Sequence, residues 1–402
     1  MAGRRAVGGG VFDGLKTVGP GSEQVLRAPR LVNEMKSIGA LNLDLDDLRK
    51  LEPAKILEIL ARVGQEPELR PLLTTAIWLG TAQACLKGSY WTPSAGAAVE
   101  QVSCSHFVRP ISCLHPAGKM PASGELQAKV EAQKIITMAG CNPIDAALKL
   151  SELPEGRHVV IIRCTPIGDP RSQRRLYSNL HEDQLFFRTT YYEAFERLAE
   201  DTHASPNESI KEGGIVYTSG VGILRGPWQE GAPWVNRPPR VDVLWLGLRA
   251  HPQHGEQETY AAQQDRDHTA TMLDRAFAWA VAHGADAVVM SALGCDSSGC
   301  CHPRLQMAGL LHEVAKLHAR HLPVVCVASD HPSHLEASWW KDFATGVIEG
   351  RPDPDPIVQV PAIPLVTDKL IKKDPQYMLE KRRKQLGAWS APGSRVARNS
   401  FI

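Results

Sequence analysis

No stretch of the 402 residues approaches the roughly 18 consecutive apolar residues that a membrane helix requires, so no spanning segment is expected. Neither sign of charge is in excess, with 45 Lys and Arg against 44 Asp and Glu. So balanced a chain lacks the broad positive field that holds duplex nucleic acid or an anionic bilayer, and neither is expected as a main partner. The opening MAGRRAVGGGVFDG carries two arginines with no apolar segment behind them, unlike a secretory leader, and an intracellular, cytoplasmic protein is expected. Nine cysteines, an odd number without paired spacing, do not form a disulfide framework. In a reducing compartment they are thiols. Also missing are the G-x-S-x-G nucleophile elbow, the P-loop and the dinucleotide G-x-G-x-x-G.

What is present is ordinary globular composition, 43% hydrophobic and 22% charged, which excludes a chain disordered throughout. Three parts are expected. Residues 1–69 read as a Gly/Arg-rich flexible lead-in and a helical extension, 70–345 as the main domain, and 346–402 as a Pro-rich strap with a basic tail. Leu48, Leu51, Ile56, Ile59, Leu60 and Val63 recur at helical spacing, with Asp46 and Asp47 as capping candidates. A second helix is expected over Pro71–Leu86, closed by Lys87-Gly88.

After Ser151 the pattern becomes α/β. Short apolar runs at 158–162, 215–217, 241–246, 287–290 and 323–327 predict strands, and residues 274–283 and 307–317 predict helices. The unit from 287 to 328 is the best-defined βαβ, implying a parallel pair with a right-handed crossover.

Its connecting loop, Gly294-Cys295-Asp296-Ser297-Ser298-Gly299-Cys300-Cys301-His302-Pro303, is the strongest local feature. Small residues between a parallel strand and a helix N-terminus expose backbone N–H groups to which the helix dipole draws an anion such as a diphosphate. A plain strand-to-helix turn has the same pattern, and both readings stand here. Cys295, Cys300, Cys301 and His302 are also potential zinc ligands, but adjacent Cys300 and Cys301 do not easily face one ion. A second feature, His181-Glu182-Asp183-Gln184 followed by Leu185-Phe186-Phe187-Arg188, sets two carboxylates ahead of an apolar face. Adjacent acids also suit a solvated helix N-terminus.

In their order, these segments resemble the microbial-type poly(ADP-ribose) glycohydrolases, a branch of the macrodomain fold, over roughly residues 70–335. Thr81-Ala82-Gln83-Ala84 through Gly88-Ser89-Tyr90 and Gly96 is similar to the family's opening helix and G-x-Y. Residues 181–190 resemble its Gln-Glu-Glu segment with the following Leu, Arg and Ser/Thr. Ile215 to Val221 resembles its tyrosine-serine-proline strand, and Gly294-Cys295 with Gly299 its diphosphate loop. The resemblance implies a three-layer α/β/α core with a mixed sheet and cleavage of an ADP-ribosyl or related nucleotide-ribosyl bond. It implies Asp183 as the acid and Glu182 as the group orienting water or ribose. Gly294, Cys295, Asp296, Ser297, Ser298, Gly299, Cys300, Gly168 and Arg188 then bind substrate.

The expected partner is an ADP-ribosylated protein or a small diphosphate nucleotide, with no metal or cofactor. Two departures bear on the chemistry. The family's glycine run is replaced by Thr165-Pro166-Ile167-Gly168-Asp169-Pro170-Arg171, and its second glutamate by Asp183. A nucleotide-binding module without turnover, or an enzyme acting on a free NAD-derived or nucleoside diphosphate compound, are the alternatives.

Overall fold

The computed structural model describes residues 50–63, 69–93, 99–104, 110–115, 120–121, 128–129, 132–152, 157–167, 184–191, 194, 213–255, 258–295, 300–329 and 338–350. In chain order these form α1 (Pro53–Val63), α2 (Leu69–Lys87), β1 (Ser89–Pro93), β2 (Val99–Ser103), β3 (Ile111–His115), β4 (Lys134–Ala139), α3 (Pro143–Ser151), β5 (Val159–Ile167) and α4 (Gln184–Arg188). There follow β6 (Ile215–Gly222), β7 (Arg240–Arg249), α5 (Gln263–Ala282), β8 (Ala287–Met290), α6 (Arg304–Leu317), β9 (Val324–Ser329) and α7 (Ser338–Glu349).

Seven strands make one mixed sheet in the order β3-β6-β7-β5-β8-β9-β4, and β1 and β2 form a separate antiparallel pair. The pairs β4–β9, β9–β8, β8–β5 and β5–β7 are parallel, whereas β6 runs antiparallel to both β7 and β3. The predicted unit β8–α6–β9 is present as adjacent parallel strands.

Side-chain alternation divides the core in two. Val159, Ile161, Val241, Val243, Val289 and Cys326 face a layer containing α1 to α4. Val160, Ile162, Leu244, Leu246, Val288 and Val325 face α5, α6 and α7. A sheet covered on both faces makes its inner strands read as unbroken apolar runs, and burial of each such side chain contributes about 1.5–3 kcal/mol. The three-layer α/β/α expectation holds.

Element ends follow local chemistry. Gly88, at φ +66°, closes α2, its N–H returning to the Cys85 carbonyl at 3.2 Å. Asn142 caps α3, its side-chain oxygen accepting the Ile144 N–H at 2.8 Å, with Pro143 in the first turn. The segment from Asp274 lies within a helix, as expected, and that helix begins at Gln263 with a mostly polar first half that pattern reading does not mark. In the described part of the N-terminal extension the helix opens at Pro53, so Leu51, expected within it, lies outside it.

At the amino-terminal edge of the parallel strands lies a polar cluster that the sequence did not reveal. The buried Asp242 of β7 accepts from His158 Nε2 at 2.8 Å and the Tyr217 hydroxyl at 2.6 Å through Oδ2, and from the Gly220 N–H at 2.9 Å through Oδ1. Tyr217 stacks on His283, with centroids 3.7 Å apart. Asp286 accepts the His158 N–H at 2.9 Å and pairs with Lys129 at 2.6 Å.

Candidate functional site

The carboxyl ends of β5, β7 and β8 share one edge of the sheet, where open α/β folds hold their ligands. Ile162 of β5 pairs with Met290, the last residue of β8. β5 runs on beside β7 to Ile167, five residues past that pair, and both strands point their carboxyl ends the same way. Gly168, Glu182, Asp183, Asp296, Ser297, Ser298 and Gly299 lie outside the described residues. Gly294, Cys295, Cys300 and Arg188 lie within them.

The two described ends of the β8–α6 loop are tightly fixed. Gly294 has φ +69°, and a Cβ there would lie 2.8 Å from His302 Cδ2 and 3.0 Å from Cys300 Cβ, so only glycine fits. Its carbonyl accepts the His302 N–H at 2.8 Å. Cys295 and Cys300 are buried, and their thiols donate to the carbonyls of Leu293 at 3.7 Å and Leu248 at 3.8 Å. Among the described residues no group of three or more His, Cys, Asp and Glu side chains could hold a metal ion.

The connection from β7 to α5 braces this loop from the side. The His251 N–H donates to the Cys300 carbonyl at 2.7 Å, and His254 Nε2 lies 2.6 Å from the Cys301 carbonyl. The Tyr260 hydroxyl and His302 Nδ1 are 2.7 Å apart. Burial pushes the His302 imidazole down to about 4, so the ring is neutral at physiological pH. It also raises the Tyr260 phenol above its usual range. In sequence, His251 and His254 belong to no metal-binding or catalytic motif. No local signal ties them to a loop nearly 50 residues downstream, because the tie runs between the ends of β7 and β8, which flank β5 in the sheet.

On the other side of the sheet, α4 begins at Gln184, the residue after Asp183. Its Leu185, Phe186 and Phe187 enter the core. Arg188 is wholly buried and turned inward. It pairs with Asp145 of α3 through Nη2, donates from Nη1 to Gln184 Oε1 at 2.7 Å, and donates from Nε to the Arg225 carbonyl at 3.2 Å. Arg225, also wholly buried, lies 3.5 Å from the ring centroid of Trp234, which stacks on Tyr90 at 4.5 Å. Arg225 donates to Thr81 Oγ1 at 3.0 Å and to the Ala232 carbonyl at 3.1 Å. Thr81 in turn donates to the Phe187 carbonyl at 2.6 Å, joining α2 to α4.

Arg225 and Trp234 belong to no sequence motif that pattern reading could single out. Their signal is a cation and an aromatic nine residues apart, common on any surface.

No family model matches the chain, and no curated protein matches it. Solved structures do. The poly(ADP-ribose) glycohydrolase of Thermomonospora curvata superimposes with a TM-score of 0.52 at 18% identity, covering 67% of this chain and 97% of the other. The same enzyme bound to the inhibitor ADP-HPD gives 0.50 at 18% identity, covering 67% and 96%. No helix among the described residues is long and apolar enough to cross a membrane. The seven-stranded mixed sheet between two helical layers is thus the macrodomain-like fold of the microbial poly(ADP-ribose) glycohydrolases, carried by a sequence far removed from theirs.

Proposed function

We propose that the protein is an ADP-ribosyl, or related nucleotide-ribosyl, glycohydrolase. The observation that supports this reading is the fold itself, shared with a poly(ADP-ribose) glycohydrolase, with β5 and β8 as adjacent parallel strands. In this reading the backbone of Gly294 to Cys300 receives the diphosphate at the opening of α6, where N–H groups and the helix dipole favour negative charge. Gly168 lies toward the ribose. Asp183 protonates the leaving oxygen as positive charge develops at the anomeric carbon. Water adds to that carbon, giving up a proton, and the carboxyl returns to its starting state. Glu182 orients the water or a ribose hydroxyl.

The chemistry needs no metal, because the charge that develops is met by carboxylates. A neighbouring structure holds ADP-HPD, and the ligand class proposed here, a small diphosphate nucleotide free or attached to protein, follows that precedent.

One observation favours a second reading. Asp183 stands where the family places a glutamate, shortening the acid's reach by roughly 1 Å, a displacement that can cost about 100-fold in rate. A module that binds ADP-ribose without turning it over has the same fold and the same loop. A single experiment separates the two. Incubated with ADP-ribosylated protein, an enzyme releases ADP-ribose, whereas a reader shows a thermal shift with ADP-ribose and no release. Neither binding nor release with any nucleotide diphosphate refutes both.

A further inference from the structure

We propose that Arg225 and Trp234 bind one small monoanion, chloride or a single carboxylate group, buried between α2, β1 and the chain that follows β6. The proposal does not rest on the glycohydrolase reading.

After β6 the chain doubles back on itself. The Val235 N–H donates to the Leu224 carbonyl at 2.9 Å and the Gly226 N–H to the Pro233 carbonyl at 2.7 Å, which sets Arg225 opposite Trp234. The guanidinium carbon then lies 3.5 Å from the indole centroid. A guanidinium has five N–H groups and an indole has one, and neither accepts a hydrogen bond. The bonds of Arg225 use Nε, on Thr81 Oγ1, and Nη1, on the Ala232 carbonyl. Arg225 Nη2 and Trp234 Nε1 are both buried without a hydrogen-bond partner among the described residues. Two groups in contact, each able only to donate, call for an acceptor between them and the core.

Charge selects that acceptor. Arg225 is wholly buried, and burial lowers its guanidinium to about 9, which leaves it a cation at neutral pH. Both of its bonded acceptors are uncharged, and no carboxylate among the described residues pairs with it. The ionisable neighbours Tyr90 and Cys104 supply no counterion either. Burial raises the Tyr90 phenol above its usual range and the Cys104 thiol to about 11, so both are neutral. A water molecule satisfies an N–H but leaves the buried charge uncompensated, whereas an anion does both. The surrounding Ala84, Cys85 and Leu224 are apolar. Such a wall favours a weakly hydrated monoanion over sulfate or a phosphate dianion, whose desolvation costs far more.

The test is thermal unfolding of the full chain in chloride, in formate and in bulky gluconate, at constant ionic strength. Chloride or formate should raise the melting temperature saturably, by about 3 °C at tenfold excess over its Kd, and gluconate should not. Saturation by formate alone assigns the site to a carboxylate group, and saturation by both assigns it to small monoanions generally. Arg225→Gln should abolish the dependence. Trp234→Phe keeps an aromatic face but lacks the N–H, so it should raise the half-saturating concentration about fivefold or more even where Arg225→Gln fails to fold. A wild type with no saturable anion dependence overturns the proposal, as does a Trp234→Phe variant that titrates like wild type. Loss of ADP-ribose binding or turnover leaves these readouts untouched, so the two readings fail separately.

Discussion

The imidazole of His302 occupies the space that any side chain on Gly294 would need, 2.8 Å from the place of its Cβ. The turn after β8 is closed by these two residues, with the His302 N–H on the Gly294 carbonyl and the ring held by Tyr260.

Gly294→Val is expected to destabilise the protein by about 1–3 kcal/mol, since it forces a β-branched residue to φ +69° and drives it into His302. It should also abolish the thermal shift with ADP-ribose. Gly309→Ala in α6 is the control. Nothing lies within 4 Å of its Cβ, and alanine should gain up to ~1 kcal/mol there. Urea unfolding and thermal shift on both variants check the pair. A Gly294→Val protein that melts and binds like wild type would contradict the assignment.

Asp183→Asn should leave ADP-ribose affinity nearly unchanged and lower turnover strongly, because a proton donated in the transition state does little for binding. Glu182→Gln should cost less. Asp183→Glu restores the longer reach and should raise turnover if the 166–180 segment leaves room for the ribose. Full activity in both Asp183→Asn and Glu182→Gln places the acid elsewhere.

Stability should depend on pH through His158 and Asp242. The hydrogen bond from His158 to Asp242 raises the histidine's pKa in the folded state, against the opposing effect of burial. Its contribution is complete below the unfolded value, about 6.5, and is lost as pH rises through the folded one. Burial disfavours ionisation of Asp242, but the hydrogen bonds from His158, Tyr217 and Gly220 outweigh it and leave the carboxyl below its usual range. That contribution is complete above the unfolded value, about 4, and is lost as pH falls through the folded one. Unfolding free energy should therefore peak between these limits, and His158→Gln should flatten the alkaline side of the curve. Identical pH profiles for wild type and His158→Gln would show that the pair does not set it.

Arg225→Ala should cost roughly 3 kcal/mol or more, since it empties the space above Trp234 and leaves Thr81 Oγ1 and the Ala232 carbonyl without their donor. Arg225→Lys should rescue little, because an ammonium lacks the planar fork and the stacking face. Equilibrium urea unfolding measures both, and a Lys variant as stable as wild type would argue against the planar requirement.

The Cys295, Cys300 and Cys301 thiols are expected to bind no stoichiometric zinc. Elemental analysis should find none, and chelators should leave the melting temperature unchanged. About one zinc per chain would overturn this.

The amino-acid sequence by itself determined the inner strands, even where their partners lie far along the chain. The runs at 159–162, 243–246, 287–290 and 324–327 are apolar on both faces because they lie inside the sheet, and that burial is written into each residue. Gly88 and Gly294 are legible for a similar reason, since each sits at a positive φ that its own residue type permits. The edge strands β3 and β4 were not legible. Their sequences, ISCLH and KIITMA, have few apolar residues in alternation, and pairing with β6 and β9 is what makes them strands.

Tertiary structure alone decided which charges go inside. In sequence Arg188 resembles a substrate contact, and Arg225, Asp145 and Asp242 carry no sign of burial. Each is buried because its partner, 25 to 144 residues away, is delivered by a different element. A short-range pattern carries hydrophobicity and backbone preference, but not the identity of a distant hydrogen-bond partner, and buried charge depends entirely on that partner.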